Sequence, residues 1–79
     1  MYIIEYKFSQ IFKYMGLPVE QIRPEASFVA DFDFEDFQFN CLVLYIGNYF
    51  NINIKEIDYP KLNTIGNAMD FVKRKLEIN

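Results

Sequence analysis

Between Tyr2 and Met15 the apolar residues Ile4, Phe8, Ile11, Phe12 and Met15 recur at spacings of four, three, one and three. That rhythm places them on one face of an α-helix. Gly16 and Pro18 then predict its end, since glycine suits the left-handed position just past a helix and proline cannot continue the ladder. From Leu17 to Glu35 no period is sustained, and Pro24 with the Asp31-Phe32-Asp33 run predicts a long loop. A loop of that length in a small domain must be anchored, and Ile22, Phe28, Val29 and Phe32 are the side chains expected to pin it. The strongest periodic signal follows. Phe39, Leu42, Val43, Ile46 and Phe50 form an i, i+3, i+4, i+7, i+11 stripe, which predicts a second helix from about Asp36 to Phe50.

Asn51 and Asn53 follow it, and a segment around Glu56 to Tyr59, stopped by Pro60, is expected to make a single helical turn or little more. A last helix opens near Asn63 or Thr64, either of which can cap it, and carries Ile65, Ala68, Met69, Val72 and Leu76 inward. Lys73, Arg74 and Lys75 fall in its final turns, where positive charge suits the negative end of the helix dipole. No alternating segment suggests a sheet, and there is no internal repeat or linker. The expectation is a single all-α domain over residues 1–79, with three longer helices, a short one before the last, and a long first loop.

Composition narrows the function more than the fold. The chain has 79 residues, 19% of them aromatic, which supplies large side chains for a small core. Its formal net charge of −3 argues against a protein that holds phosphate backbones, so no nucleic-acid partner is expected. Cys41 is the single cysteine and there is no histidine. That combination excludes an internal disulfide framework, multi-cysteine zinc sites and histidine-based catalytic triads. Gly16, Gly47 and Gly66 lie far apart and form no phosphate-binding loop, so an enzyme is not expected. No apolar stretch approaches the roughly 20 residues that span a bilayer. A soluble, cytoplasmic protein with no membrane partner is the expectation.

Several residues, in order and at matching spacing, carry a resemblance. They are Ala26-Ser27-Phe28-Val29, Asp31-Phe32, Glu35-Asp36-Phe37 opening a helix, and Leu42-Val43 within it. Phe50, Ile52, Ile54, Lys61-Leu62, Thr64-Ile65 and Ala68-Met69-Asp70-Phe71-Val72 continue the pattern. The chain resembles the acyl carrier protein family of phosphopantetheine carrier domains, from about Ile11 to Leu76 without insertion or deletion. The resemblance implies an up-and-down four-helix bundle with a long first loop and a short third helix.

Members of that family carry an Asp-Ser-Leu triplet at the start of the second helix, and its serine is esterified to the phosphopantetheine arm. Here the triplet reads Glu35-Asp36-Phe37, so the position matching the attachment serine is Asp36. A carboxylate cannot replace the hydroxyl as the nucleophile that gives a stable phosphodiester. The only serines, Ser9 and Ser27, do not match that position, so no phosphopantetheine cofactor is expected. Asp36 is read either as a carboxylate that stabilises the positive end of the helix dipole or as an imitation of the phosphodiester charge. Asp31, Asp33, Glu35 and Asp36 resemble the opening of a calcium loop. However, the glycine required at its sixth position is Asp36 and the glutamate at its twelfth is Leu42, so no metal is expected.

The second helix of the family is rich in acids that meet basic patches on partner enzymes; here most of those acids are gone. Phe37, Cys41, Leu44 and Asn48 instead make a second stripe, at i, i+4, i+7 and i+11, away from the core stripe. Either the aromatic surplus simply spills onto the surface, or this side packs under the first loop, or the stripe docks a partner by apolar contact. Cys41 has no Lys, Arg or His beside it in sequence to activate its thiol and reads as small apolar filler. Phe12, Phe28, Phe32, Phe39, Phe50 and Phe71 are expected to fill the volume where a carrier would sequester an acyl chain.

The leading expectation is an acyl-carrier-like protein without phosphopantetheine, acting as an interaction or scaffolding subunit in fatty acid, polyketide or peptide assembly. Asp36, Phe37, Cys41, Leu44 and Tyr45 form its expected docking site for a biosynthetic enzyme or a second copy of the chain. The alternative is a functional carrier whose cargo is attached at a non-standard residue, such as Cys41 or Ser27.

Overall fold

Three α-helices form where the apolar periodicity runs: α1 over Tyr2–Tyr14, α2 over Asp36–Phe50 and α3 over Ile65–Glu77. The computed structural model describes residues 2–77, and adds two short 3-10 segments, Val19–Gln21 in the first loop and Glu56–Leu62 before α3. No strand forms among the described residues; the architecture is the expected all-α bundle.

Both long chain reversals after α1 and α2 use a left-handed residue. Gly16 has φ +76°, and its N–H donates to the Lys13 carbonyl at 3.1 Å while the Leu17 N–H donates to the Phe12 carbonyl at 3.0 Å. These two bonds satisfy the last carbonyls of α1. α2 ends on Asn51, at φ 56°, and the Ile52 N–H reaches back to the Gly47 carbonyl at 3.1 Å. Asparagine takes this backbone more readily than most residues with a side chain. Lys7 completes that end: its Nζ donates to the Tyr49 carbonyl at 3.0 Å and lies 5.4 Å from the Phe50 ring centroid. A charge on α1 thereby stabilises the negative end of α2.

At their N-termini, α2 is closed by its own Gln38 side chain reaching back to the residue before the helix, and α3 is capped by Thr64. The Glu35 N–H donates to Gln38 Oε1 at 2.9 Å, and the Asn67 N–H donates to Thr64 Oγ1 at 3.1 Å. Pro60 does not end the Glu56–Leu62 segment, which runs on past it. Proline's fixed φ near −65° suits a 3-10 helix, so the ring costs only one hydrogen bond there.

α1 packs against both α2 and α3, and the Glu56–Leu62 segment packs on α3. Phe8, Ile11 and Phe12 meet Leu42, Val43, Ile46 and Phe50 and the buried residues Ile65, Ala68, Phe71 and Val72. Leu76, expected to face inward, is exposed in the last turn of α3. The aromatic surplus goes mainly into a run of ring contacts. Phe50 meets Phe8 at 5.3 Å, Phe8 meets Phe12 at 5.7 Å, and Phe12 meets Phe28 at 6.2 Å. Phe28 is fully buried and also touches Phe34 at 5.4 Å and Phe39 at 6.5 Å, so one loop residue ties α1 to α2. Burying each such ring contributes about 1.5–3 kcal/mol.

The first loop is held by backbone as well as side chains. The Phe28 N–H donates to the Asn63 carbonyl at 3.2 Å, the Ile65 N–H to Ala26 at 3.0 Å and the Gly66 N–H to Pro24 at 2.8 Å. A β-carbon on Gly66 would lie 3.0 Å from the Pro24 carbonyl oxygen, so a side chain here would press the loop outward by a few tenths of an ångström. Ala26, Phe28 and Phe34 are buried, and Ile22 and Phe32 are half-buried as pins. Val29 is not a pin; it is 63% exposed. Ser27 and Asp31 fold the backbone into a tight turn here, with the Ser27 N–H donating to Asp31 Oδ2 at 2.7 Å and the Ala30 N–H to Ser27 Oγ at 3.0 Å. The turn points Phe28 inward and leaves Val29 outside. Asp33, at φ 58°, then brings Phe34 into the core in its place.

Candidate docking site on the second helix

α2 is apolar on two sides, and only one of them is covered. Leu42, Val43, Ile46 and Phe50 are buried. On the opposite side Phe37 is 74% and Leu44 66% exposed, Asn48 is exposed, and Cys41 between them is half-buried. The 3.6-residue period sets these four residues in one line along the helix. From Phe37 to Ile54 the chain carries no charged residue. Beyond Asp36 the outer face of α2 is therefore uncharged, with amides at Gln38, Asn40 and Asn48 beside the apolar side chains.

The structure brings Phe37, Cys41 and Leu44 together as expected and sets Tyr45 to one side. The Tyr45 ring stacks on Tyr14 of α1 at 6.2 Å with the planes 12° apart, and Tyr14 also meets Tyr49 at 6.5 Å. Tyr45 belongs to the seam between α1 and α2, with one edge on the candidate face. Burial, followed by a hydrogen bond with Tyr14, raises the pKa of the Tyr49 phenol above its ordinary value. Both effects favour the neutral form. Tyr14 is a contributor that sequence reasoning missed. Its place at the last turn of α1, just before Gly16, was a usable signal, because that turn must lie against α2 for α1 to cross it.

Asp36 is the first residue of α2 and is exposed. Beside it, an open pocket of about 440 Å³ is lined by Phe28, Phe34, Asp36, Phe39, Glu56 and Tyr59, among others. Phe39 and Tyr59 pack edge to face at 5.4 Å, closing α2 onto the Glu56–Leu62 segment. Val29 also lines the pocket, and neither Val29 nor Glu56 was anticipated here. Among the described residues, no three His, Cys, Asp or Glu side chains converge as a metal site.

The two serine hydroxyls are both in use within the fold. Ser9 Oγ donates to the Tyr6 carbonyl at 2.7 Å inside α1, and Ser27 Oγ accepts the Ala30 N–H in the loop turn. None of the described helices is long and apolar enough to cross a membrane.

Three α-helices, a short segment before the last and a long anchored loop define a small all-α bundle domain. Comparison with known proteins places it. The chain is 30% identical over 73 residues to the acyl carrier protein of Nitratidesulfovibrio vulgaris strain Miyazaki F, covering 91% of this chain and 96% of that protein. It is also 30% identical over 61 residues to the acyl carrier protein of Chlorobium phaeobacteroides, covering 77% and 78% of the two chains. The acyl carrier protein of N. vulgaris strain DP4 matches at the same identity over 61 residues. No family model matches the chain. The chain belongs to the acyl carrier protein family. It is accordingly not an enzyme.

Proposed function

We propose that this protein is an acyl-carrier-like subunit that bears no phosphopantetheine arm and works through protein contact at the outer face of α2. The observation that carries this reading is the exposed carboxylate of Asp36 at the first position of α2, where the family resemblance expects a serine hydroxyl. A carboxylate that attacked a phosphate would give a mixed anhydride, which water cleaves, in place of a lasting phosphodiester. The residues present do not fit the arm. Asp36, Phe37, Cys41 and Leu44 then form the working surface, with Tyr45 at its edge. The accessory or scaffolding role is our reading of that surface, and a cytoplasmic setting in fatty acid, polyketide or peptide assembly is suggested by the family resemblance alone.

A carrier with cargo tethered at Ser27 or Cys41 draws little support from the geometry. The Ser27 hydroxyl is held in the loop turn, and Cys41 is half-buried between Phe37 and Leu44.

Two measurements test the reading. After incubation with coenzyme A and a broad-specificity phosphopantetheinyl transferase, the parent chain keeps its intact mass while the Asp36→Ser variant gains one arm; an arm on the parent overturns the proposal. Leu44→Glu and Phe37→Asp should each abolish association with partners while helicity and melting stay at the parent's values. If both variants bind as the parent does, the docking face is wrong.

A further inference from the structure

We propose that the cleft between α3 and the Glu56–Leu62 segment binds a small organic phosphate monoester. No residue of α2 lines this cleft, so it stands apart from the function proposed above.

Charge gives the sign of the ligand. The chain is net −3, yet half of its eight basic residues lie between Lys61 and Lys75, and ten of its eleven acids lie outside that stretch. An anion is repelled by the rest of the surface and drawn here. A cleft of about 460 Å³ opens within the stretch, lined by Lys61, Asn67, Asp70, Phe71, Arg74 and Lys75. Three positive charges against one negative match a dianion, and a phosphate monoester carries about −1.5 to −2 at neutral pH.

The fold places the donors. Asn67, Asp70, Phe71, Arg74 and Lys75 recur at helical spacing along one side of α3, and Lys61 joins them from the segment packed on that helix. Two of the three cations are already held. Lys61 Nζ lies 3.5 Å from Asp58 Oδ1, which offsets part of its charge, and Lys75 Nζ lies 5.5 Å from the Phe71 ring centroid. Holding them in advance lowers the ordering cost of binding.

Arg74 is the principal donor. Asp70 stands one turn before it, at the spacing of a helical ion pair, yet among the described residues Arg74 forms no ion pair. A planar guanidinium can meet a phosphate through two parallel hydrogen bonds. Asn67 adds a further donor, since its amide has two hydrogens and one goes to Asn63 Oδ1 at 2.8 Å.

Volume and Asp70 favour an ester over bare phosphate. The cleft falls in the range of small-molecule sites, roughly 300–1,000 Å³, with room for a body beyond the phosphate. The Asp70 carboxylate repels a bare phosphate but accepts hydrogen bonds from hydroxyls on such a body. Apart from Phe71, the lining side chains are exposed and stable in water, so binding is weak and reversible.

Titration of the intact, isotope-labelled chain with β-glycerophosphate, followed by amide chemical shifts, tests the site. Saturable shifts should centre on Asn67, Asp70 and Arg74, with a dissociation constant of about 1 mM at low salt. Inorganic phosphate should bind more weakly. Arg74→Gln should weaken binding about tenfold with helicity unchanged. Lys73→Gln removes the same charge from the same helix, but Lys73 lines a different pocket with Ile4 and Leu76, so affinity should stay within about twofold. Shifts that do not saturate, an affinity indifferent to Arg74→Gln, or an equal loss from Lys73→Gln overturn the proposal, as does inorganic phosphate binding as tightly as the ester.

Discussion

α2 and α3 solve the same packing problem and finish differently. Each buries four residues in the common core: Leu42, Val43, Ile46 and Phe50 from α2, and Ile65, Ala68, Phe71 and Val72 from α3. On its other side α3 presents Asn67, Asp70, Lys73, Arg74 and Lys75 to solvent. That side is complete, because charged residues are stable in water and gain nothing from being covered. The corresponding side of α2 offers Phe37, Cys41 and Leu44 with amides around them. Burial alone does not distinguish the two helices. What distinguishes them is the composition of the side the core does not use, and the proposed docking role rests on that difference.

The largest test of this contrast compares neighbours on α2. Leu42→Ala, on the covered side, should cost about 2–5 kcal/mol in urea unfolding. Leu44→Ala, two residues on, should stay within about 0.5 kcal/mol. A similar loss from both would mean that the outer side of α2 is structural after all.

A smaller effect sharpens the α3 half. Gly66→Ala at the head of α3 pushes a methyl group against the Pro24 carbonyl. The expected loss is about 1–3 kcal/mol, as for other overpacked contacts, and a melting temperature equal to the parent's would show that the loop gives way freely.

The smallest concerns the seam between α1 and α2. The Tyr49 phenol has its pKa raised above 10.0, first by burial and then by the hydrogen bond with Tyr14. A raised folded value means that the fold favours the protonated form. The stability this contributes is fully present below the unfolded value and is lost as pH rises through the folded one. An alkaline titration followed by phenolate absorbance should show one tyrosine ionising late, and Tyr14→Phe should bring it part of the way back. A titration unchanged by Tyr14→Phe would remove the hydrogen bond from the explanation.

Much of the fold was legible because its signals are local. The stripe from Phe39 to Phe50, the stop at Gly16 and the Thr64 cap each depend on neighbours within a turn or two. What escaped depends on distant partners. The loop meets α3 through backbone bonds from Phe28 to Asn63 and from Gly66 to Pro24, which no periodicity encodes. That meeting, with the left-handed Asp33, is why Phe34 is buried where Val29 was expected. Of the candidate site, the line Phe37, Cys41 and Leu44 followed from helical spacing. The turning of Tyr45 toward Tyr14 did not, because it is set by how α1 crosses α2.

The uncharged run from Phe37 to Ile54 also matters before the helix exists. In an unfolded chain it is a long neutral segment rich in Tyr, Ile and Phe, without proline, the composition that stacks into intermolecular strands. Asp36 and Lys55, immediately on either side, act as gatekeepers that interrupt such stacking. Asp36 shares that flank with Glu35, so a neutral residue at position 36 would still leave one carboxylate beside the segment before α2 forms.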